Sequence, residues 1–324
     1  MRIVITGGAG FIGRVLVDRL AHRGDDVTAL VRDPPRAGYL AEREAVTLVR
    51  SSLADPGLMR DAMRGADAVI HAAGSYRVGI RASERPAMWD ANVGATERVL
   101  DAAITEGVPR IVAVSTVNVF GDTHGAIVEE PHRRPPGEGF LSWYDETKLR
   151  AHEAAEVRIA AGAPVVIVMP CQVYGPHDHS LASAQLDEAF HGRLRYIGFA
   201  DLGLAWVHVD DLADGIVAAL DHGRPGEAYA LAGEVTTMGD AIALAARLGG
   251  KRASALHVPT GLLRFLAPLN DTVGGLPGMP ANLGETISAS AGVTYWANHD
   301  KAARELGFAP RGLEQGILDT WGHR

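Results

Sequence analysis

The sequence predicts an α/β fold, a doubly wound parallel sheet carrying a smaller C-terminal lobe. Three observations predict it. Short apolar runs alternate with amphipathic stretches through the first half of the chain, the pattern of strands joined by crossover helices. A glycine-rich turn links the first run to the first amphipathic stretch, and beyond Pro170 the alternation loosens into Gly- and Pro-rich segments. With 324 residues, 47% of them hydrophobic, the chain has enough apolar material for one large core and a second lobe.

Taken in order, Arg2 to Thr6 is a short β-type run, and Phe11 to Leu20 repeats apolar residues at helical spacing after the glycine turn. Val27 to Val31 reads as strand, Asp55 to Met63 as helix, Ala68 to His71 as strand and Pro86 to Ala103 as a longer helix. Ile111 to Ser115 and Val165 to Met169 are further strands. Between them, Ser142 to Ala161 carries apolar or small residues on one face and Lys148, Arg150, Glu153 and Glu156 on the other, a long helix. The boundary is placed at 1–170 for the first domain and 171–324 for the lobe, some of whose segments return to the sheet. Gly175-Pro176, Gly223 to Gly226 and Gly274 to Gly278 punctuate that half. Its helices are expected at Asp210 to Leu220, Met238 to Leu248 and Asp300 to Leu306, with Thr237 and Asn298 or His299 as N-caps. No repeat of solenoid length is visible.

Composition narrows the class of function. A net charge of −8 offers no basic field for nucleic acid or an anionic membrane, which leaves a small molecule as the expected partner. No apolar run reaches the ~18 residues of a membrane span. Met1 leads directly into a strand in place of a signal segment, so a soluble cytoplasmic protein is expected. Cys171 is the single cysteine, which excludes an internal disulfide and a cysteine-based metal site and reads as a small buried hydrophobe. No metal is expected: His177-Asp178-His179 has no obvious third ligand nearby and reads as a solvated loop.

The run Thr6-Gly7-Gly8-Ala9-Gly10-Phe11-Ile12-Gly13 places glycines where a strand turns sharply and its backbone approaches a pyrophosphate. The helix that follows points its N-terminal N–H groups at that anion. Strand before and helix after make this the dinucleotide-binding turn of a Rossmann fold. At the end of the second strand a carboxylate selects NAD and an arginine suits the 2′-phosphate of NADP. Here Leu30-Val31-Arg32-Asp33 puts Val31 at the carboxylate position and Arg32 after it, favouring NADP with NAD as the alternative.

Tyr144 and Lys148 stand four residues apart and therefore share a helix face. A free phenol has a pKa near ~10, but a cation about 5 Å away at an effective dielectric of ~20 contributes ~3 kcal/mol. That is expected to lower the phenol by roughly two units and to make it a proton donor or acceptor at a carbonyl or carbinol oxygen. Val114-Ser115-Thr116-Val117 ends a strand at the edge where open sheets bind ligands, with Thr116 the first choice for a substrate-facing hydroxyl and Ser115 the reserve. Asp210-Asp211 opens a helix, where capping is the better reading than acid/base work. Trp143 and Trp206 read either as pocket walls or as core.

With these residues in view, the chain resembles the extended short-chain dehydrogenase/reductase family of the NAD-dependent epimerase/dehydratase superfamily, over nearly its whole length. The resemblance rests on the glycine turn, Tyr144/Lys148, His71-Ala72-Ala73-Gly74, Asn92-Val93, Ser115-Thr116, Val119-Phe120-Gly121, Val173-Tyr174-Gly175-Pro176 and Val207 to Asp211. It implies that Thr116 polarises the substrate oxygen, that Tyr144 is the acid/base and that Lys148 also grips the nicotinamide ribose. Asn92 takes the family's structural asparagine position. Gly7, Gly10, Phe11, Ile12, Gly13, Arg32, Ala72, Ala73, Ser115, Pro170 and Val173 are the implied cofactor contacts, and the C-terminal lobe binds substrate.

Two departures stand out. Relatives often have Asp-Leu beside the adenine, where this chain has Ser52-Leu53, expected to contact the cofactor there more weakly or through the backbone. Nucleotide-sugar enzymes carry an arginine shortly before Val-Asp-Asp, where this chain has Gly203 to Val207 and no anion clamp. Together with Leu30 to Pro34 and Gly226 to Gly233, this resembles the dihydroflavonol-reductase-like branch. A reductase or dehydrogenase of a small carbonyl or alcohol is the leading expectation. A sugar or nucleotide-sugar epimerase/dehydratase is the second, and a non-catalytic cofactor-binding protein the third. A homodimer through the helices around 86–103 and 142–161 is also implied, with Ala91, Gly94, Ala151, Ala154 and Ala155 allowing close approach.

Overall fold

The computed structural model describes residues 1–252, 256–276 and 279–322; Pro277 and Gly278 of the second lobe's glycine-rich segment lie outside them. In chain order the first half runs β1 (Arg2–Thr6), α1 (Phe11–His22), β2 (Asp26–Val31), β3 (Val46–Arg50), α2 (Pro56–Met63), β4 (Ala68–His71), α3 (Arg85–Trp89), α4 (Ala95–Thr105), β5 (Ile111–Val114), α5 (Trp143–Ala160) and β6 (Val165–Pro170). The second half runs β7 (Gln172–Tyr174), α6 (Leu181–Phe190), β8 (Tyr196–Ile197), β9 (Gly203–His208), α7 (Val209–His222), β10 (Ala228–Leu231), β11 (Glu234–Thr237) and α8 (Met238–Leu248). It ends with β12 (Leu256–His257), α9 (Thr260–Val273), α10 (Leu283–Ser288), β13 (Thr294–Tyr295), α11 (Asp300–Leu306) and α12 (Leu313–Trp321).

The main sheet has the order β10-β6-β5-β4-β1-β2-β3, with every pair parallel. Such strands are buried on both faces, and alternate residues serve the two cores. Ile3 and Ile5 pack with Leu16, Val17 and Leu20 of α1 and Leu212 and Ile216 of α7. Val4 faces the other way, with Met59 and Met63 of α2 and Val99 and Leu100 of α4. Each fully buried side chain of this kind contributes about 1.5–3 kcal/mol relative to exposure. Chain order reverses between β1 and β4, which opens a crevice beyond the carboxyl ends of those strands.

The second half does not stay apart from this sheet. Strand β10 pairs with the edge of β6, Ala230 opposite Met169, and the Ala230 N–H donates to Glu130 Oε1 at 2.8 Å. The remaining strands form a small sheet, β11-β9-β13 with β7 also on β9, and a two-stranded ribbon of β8 and β12.

Several elements depart from the sequence-based expectation. The helix expected over 86–103 is divided, because Asp90–Gly94 winds as a π-turn between α3 and α4. This wider turn carries Asn92 inward and leaves its carbonyl to accept from Thr96 Oγ1 at 2.6 Å. Strand β3 was not foreseen; it is an edge strand with a mixed burial pattern and weak alternation. Helix α5 is capped by Ser142, whose Oγ accepts from Asp145 N at 3.1 Å. Its polar residues do not all face water, since Lys148 turns inward. The N-cap of α7 is His208, whose Nδ1 accepts from Asp210 N; Asp210 and Asp211 lie in the first turn, where acids favour the dipole, and Asp211 also holds Arg311 at 2.8 Å.

Candidate active site

The glycine turn is as tight as its composition demands. Gly7 has φ +74°, and a Cβ there would lie 2.7 Å from the Ala73 nitrogen, so Ala72-Ala73 packs directly on the turn. A Cβ on Gly13 would lie 2.0 Å from the Gly7 carbonyl oxygen. Gly10 differs: its Cβ would meet only that oxygen, at 3.1 Å, so its open side is free for a ligand. No side chain caps α1, and its first turn holds no acid, so the N–H groups at Phe11, Ile12 and Gly13 and the positive dipole end face the crevice. A backbone cradle that a side chain would fill, beneath an uncapped helix, fits a dinucleotide pyrophosphate.

Behind the cradle a buried imidazole fixes the floor. The Thr96 hydroxyl proton goes to the Asn92 carbonyl, so His71 Nε2 donates to Thr96 Oγ1 (2.9 Å) and Nδ1 accepts from Thr6 Oγ1 (2.7 Å). Thr6 Oγ1 then accepts from the Ala73 N–H at 3.3 Å. Burial, reinforced by Lys148, lowers the His71 pKa to about 3 and keeps it neutral.

At the far end of the crevice Arg32 is exposed just past β2, with no hydrogen bond or ion pair among the described residues. Asp33 is paired with Arg36 at 3.4 Å. Ser52 is exposed beyond β3, and Leu53 is buried with φ +62°. That conformation costs about 1–3 kcal/mol in a non-glycine residue. It is held by Ser51 Oγ accepting the Leu53 N–H at 3.1 Å and by Arg98 donating to the Leu53 carbonyl at 2.7 Å.

Tyr144 is 8% exposed in an apolar cluster with Ile80 and Met88, flanked by Val78 and Trp143, while the Tyr76 ring stands edge-on to it at 4.8 Å. Burial, then Tyr76 and Asp145, raise its phenol far above the ordinary range; only a hydrogen bond with Thr116 pulls the other way. The expected lowering by Lys148 is absent. That ammonium donates to the Val114 carbonyl at 3.1 Å, and its own desolvation lowers its pKa to about 8. The helix does bring both residues to one side, but the lysine is pinned to β5 and not to the phenol.

Thr116 and Ser115 separate clearly. Ser115 Oγ lies 2.9 Å from His152 Nδ1, inside the contact of β5 with α5. Thr116 lies beside Tyr144 and begins a chain the sequence did not reveal. Its Oγ1 donates to Asn118 Oδ1 at 3.0 Å, and Asn118 Nδ2 donates to Asp145 Oδ1 at 3.0 Å. Thr116 Oγ1 also accepts from the Asn118 N–H at 3.3 Å, so Asn118 orients this hydroxyl beside the phenol. Asp145, only 2% exposed, is raised to about 6 by burial against the opposing hydrogen bonds of Asn118 and Ser142.

Asn92 acts at a distance from the phenol. Its side chain accepts from Ser75 N (2.7 Å) and donates to Ser75 O (3.0 Å) and Thr147 Oγ1 (2.9 Å), clamping the loop after β4 to α5. Pro170 ends β6 in the core, and Val173 is half-buried opposite Val207 of β9. Trp206 is 1% exposed, a core residue and not a pocket wall, whereas Trp143 is half-buried against Trp89 at 5.9 Å. Asp178 accepts from Ser180 N and Oγ before α6, and no metal-holding cluster of His, Cys, Asp or Glu occurs among the described residues.

This arrangement, a dinucleotide cradle with a buried tyrosine, a threonine and an inward lysine at the same sheet edge, is that of a nucleotide-cofactor enzyme. The chain belongs to the NAD dependent epimerase/dehydratase family, whose model matches residues 3–232. It is 29% identical over 324 residues to a 4-hydroxy-2-methyl-3-oxo-4-farnesyl-3,4-dihydroquinoline-1-oxide ketoreductase of Stigmatella aurantiaca, covering 99% of this chain and 95% of that one. It is 28% identical to a 2-alkyl-3-oxoalkanoate reductase of Stenotrophomonas maltophilia, covering 98% and 97%. Among solved structures, a double mutant of a Streptomyces venezuelae dTDP-glucose 4,6-dehydratase with NAD bound superposes with TM-score 0.79 at 25% identity, covering 99% and 96%.

Proposed function

We propose that this chain is an NADP-dependent reductase or dehydrogenase acting on an apolar ketone or its alcohol. The observation that carries the reading is the setting of Tyr144: a phenol held protonated by burial, against Ile80 and Met88, with the Thr116 hydroxyl beside it. The bound cofactor supplies or takes the hydride. Tyr144 Oη gives its proton to the substrate oxygen in reduction and receives it in oxidation. Thr116 steadies the phenol by a hydrogen bond, and Asn118, held by Asp145, fixes the direction of the Thr116 hydroxyl. Lys148, whose ammonium donates to the Val114 carbonyl, would hold a ribose hydroxyl of the cofactor.

Two relatives named as reductases of ketones bearing farnesyl or alkyl groups support an apolar substrate. So does β9, where Gly203 to His208 is buried throughout and offers no arginine to a diphosphate. Arg32, exposed at the end of β2 and unpaired among the described residues, supports NADP over NAD. The similarity to a dTDP-glucose dehydratase favours a second reading, a sugar epimerase or dehydratase. Following NADPH and NADH oxidation, with chromatography of the products beside it, for 2-alkyl-3-oxo acids, aryl ketones and nucleotide sugars separates them. Turnover of the ketones supports the first reading; turnover confined to nucleotide sugars, without net cofactor consumption, overturns it.

The proposed homodimer pairs the helical stretch around 86–103 and α5 across a two-fold axis. Ala91, Gly94 and Ala154 are half-buried and Val157 is 67% exposed, which suits such a contact. Ala151 and Ala155 are already buried within the protomer and take no part. A monomer at micromolar concentration by sedimentation excludes the pairing.

A further inference from the structure

Helix α9 buries one side and leaves another bare. Leu263 and Ala267 pack with Phe199, Leu283 and Ile287, whereas Leu262, Phe265, Leu269 and Val273 are 50%, 81%, 59% and 57% exposed. Spacings of three, four and four residues put those four on one stripe. The β8–β12 ribbon leads into the helix and adds Tyr196 and Leu256, 59% and 77% exposed. A run of large apolar side chains this continuous marks an interaction surface.

The charge around it is unlike that of the rest of the chain. From Lys251 to Asn270 there are three basic residues and no carboxylate, in a sequence with 39 acids and 31 Lys and Arg. Lys251, Arg252 and Arg264, with Arg195 at the start of β8, are exposed, and none forms an ion pair among the described residues. Asp271, the first acid after this stretch, is occupied by the Leu283 and Gly284 N–H groups.

We propose that this face docks the protein on the surface of an anionic lipid bilayer, with the α9 stripe in the headgroup boundary and the four cations on lipid phosphates. Fourteen residues of helix reach about 21 Å, less than a span of ~30 Å, and no helix among the described residues is long and apolar enough to cross a membrane. The contact is therefore parallel to the surface. A second copy of the chain fits less well, because a two-fold contact would bring these cations against themselves.

The surface is coupled to the catalytic residues. Glu285 of α10, which packs on α9, accepts the Trp143 N–H at 2.6 Å, one residue from Tyr144, and Asn282 N donates to the Gly79 carbonyl at 2.9 Å. Docking thus sets the lobe that borders the site on the lipid from which an apolar ketone would be drawn; only this last step rests on the proposed reductase activity.

The test is sedimentation of the full chain with phosphatidylcholine vesicles, with and without phosphatidylglycerol. Binding is expected to be roughly tenfold stronger with the anionic lipid, to fall with salt, and to drop roughly tenfold in Phe265→Glu/Leu269→Glu and in Lys251→Glu/Arg252→Glu. All four positions are exposed, and thermal unfolding confirms that the variants fold. Equal sedimentation with and without vesicles overturns the proposal, as does a dimer that Phe265→Glu dissociates. Turnover of a water-soluble ketone is measured beside it, so that loss of the reductase reading is seen separately.

Discussion

Gly13 stands against Gly7 so closely that a single methyl group on it would lie 2.0 Å from the Gly7 carbonyl oxygen. Gly13→Ala must therefore move backbone, at an overpacking cost of about 1–3 kcal/mol or more. Gly10→Ala meets that oxygen at 3.1 Å and leaves the fold nearly unchanged, but places a methyl where the pyrophosphate would lie. Thermal unfolding should fall sharply for Gly13→Ala only, while calorimetric cofactor titration should show lost binding for both. A Gly10→Ala protein that binds cofactor as the parent does removes the cradle assignment.

Tyr144→Phe should lower turnover of an accepted ketone by ~100-fold to ~10,000-fold and change cofactor affinity by less than about twofold, because it removes the proton donor and little else. Steady-state kinetics beside a cofactor titration decides it. Ordinary turnover in the Phe variant would mean that the proton comes from another group.

Lys148→Met should weaken cofactor binding and yet stabilise the fold. The ammonium pKa is lowered from 10.5 to about 8, so between those values the unfolded chain holds more protons and the parent gains stability as pH rises. The Met variant lacks that rise. Denaturant unfolding should find it more stable than the parent at pH 7, with the gap closing towards pH 10.

Asp145→Asn tests the buried carboxyl beside the phenol. Its pKa is raised from 3.8 to about 6, so the folded chain holds more protons across that window and stability declines as pH rises through it. A shift of this size corresponds to about 3 kcal/mol at neutral pH. The asparagine variant should show no such decline between pH 4 and about 6, and should exceed the parent in unfolding midpoint at pH 7. A parallel decline in both proteins would assign the titration elsewhere.

Arg32→Ala should weaken NADPH binding by roughly tenfold and leave NADH within about twofold, since a charge-assisted contact to a 2′-phosphate contributes about 1.5–3 kcal/mol. Competition titrations of the two cofactors measure it. Equal losses for both place the adenosine end away from β2.

What could be read from the sequence follows the range of the interactions. Strands β1, β4, β5 and β6 announce themselves because both faces are buried along most of their apolar runs, and β2 because Ala29 to Val31 is such a run. Edge strand β3, with mixed burial, does not. Gly7, Gly10 and Gly13 are legible because the turn they make is local. Asn118 and Asp145 were missed because their meeting joins positions 27 residues apart, and Tyr76 because it meets Tyr144 only in the folded chain. Lys148 was found but misdirected: the four-residue spacing fixes its helix face and says nothing of the Val114 carbonyl that accepts its hydrogen bond. The π-turn at Asn92 has no local signal, since its partners are Ser75 and Thr147.

The pairing of β10 with β6 has a consequence for synthesis of the chain. Until Ala228–Leu231 has been made, β6 stands as an open parallel edge with unpaired backbone groups. At about 5–20 residues per second, the ribosome needs on the order of 3 to 12 seconds to travel from Pro170 to Ala228. During that interval the nascent first domain is a template for strand addition by other chains. Glu130, whose carboxylate later takes the Ala230 N–H, has nothing to bind. Chaperone demand should therefore peak midway through translation, and fragments ending near residue 170 should aggregate where the full chain does not.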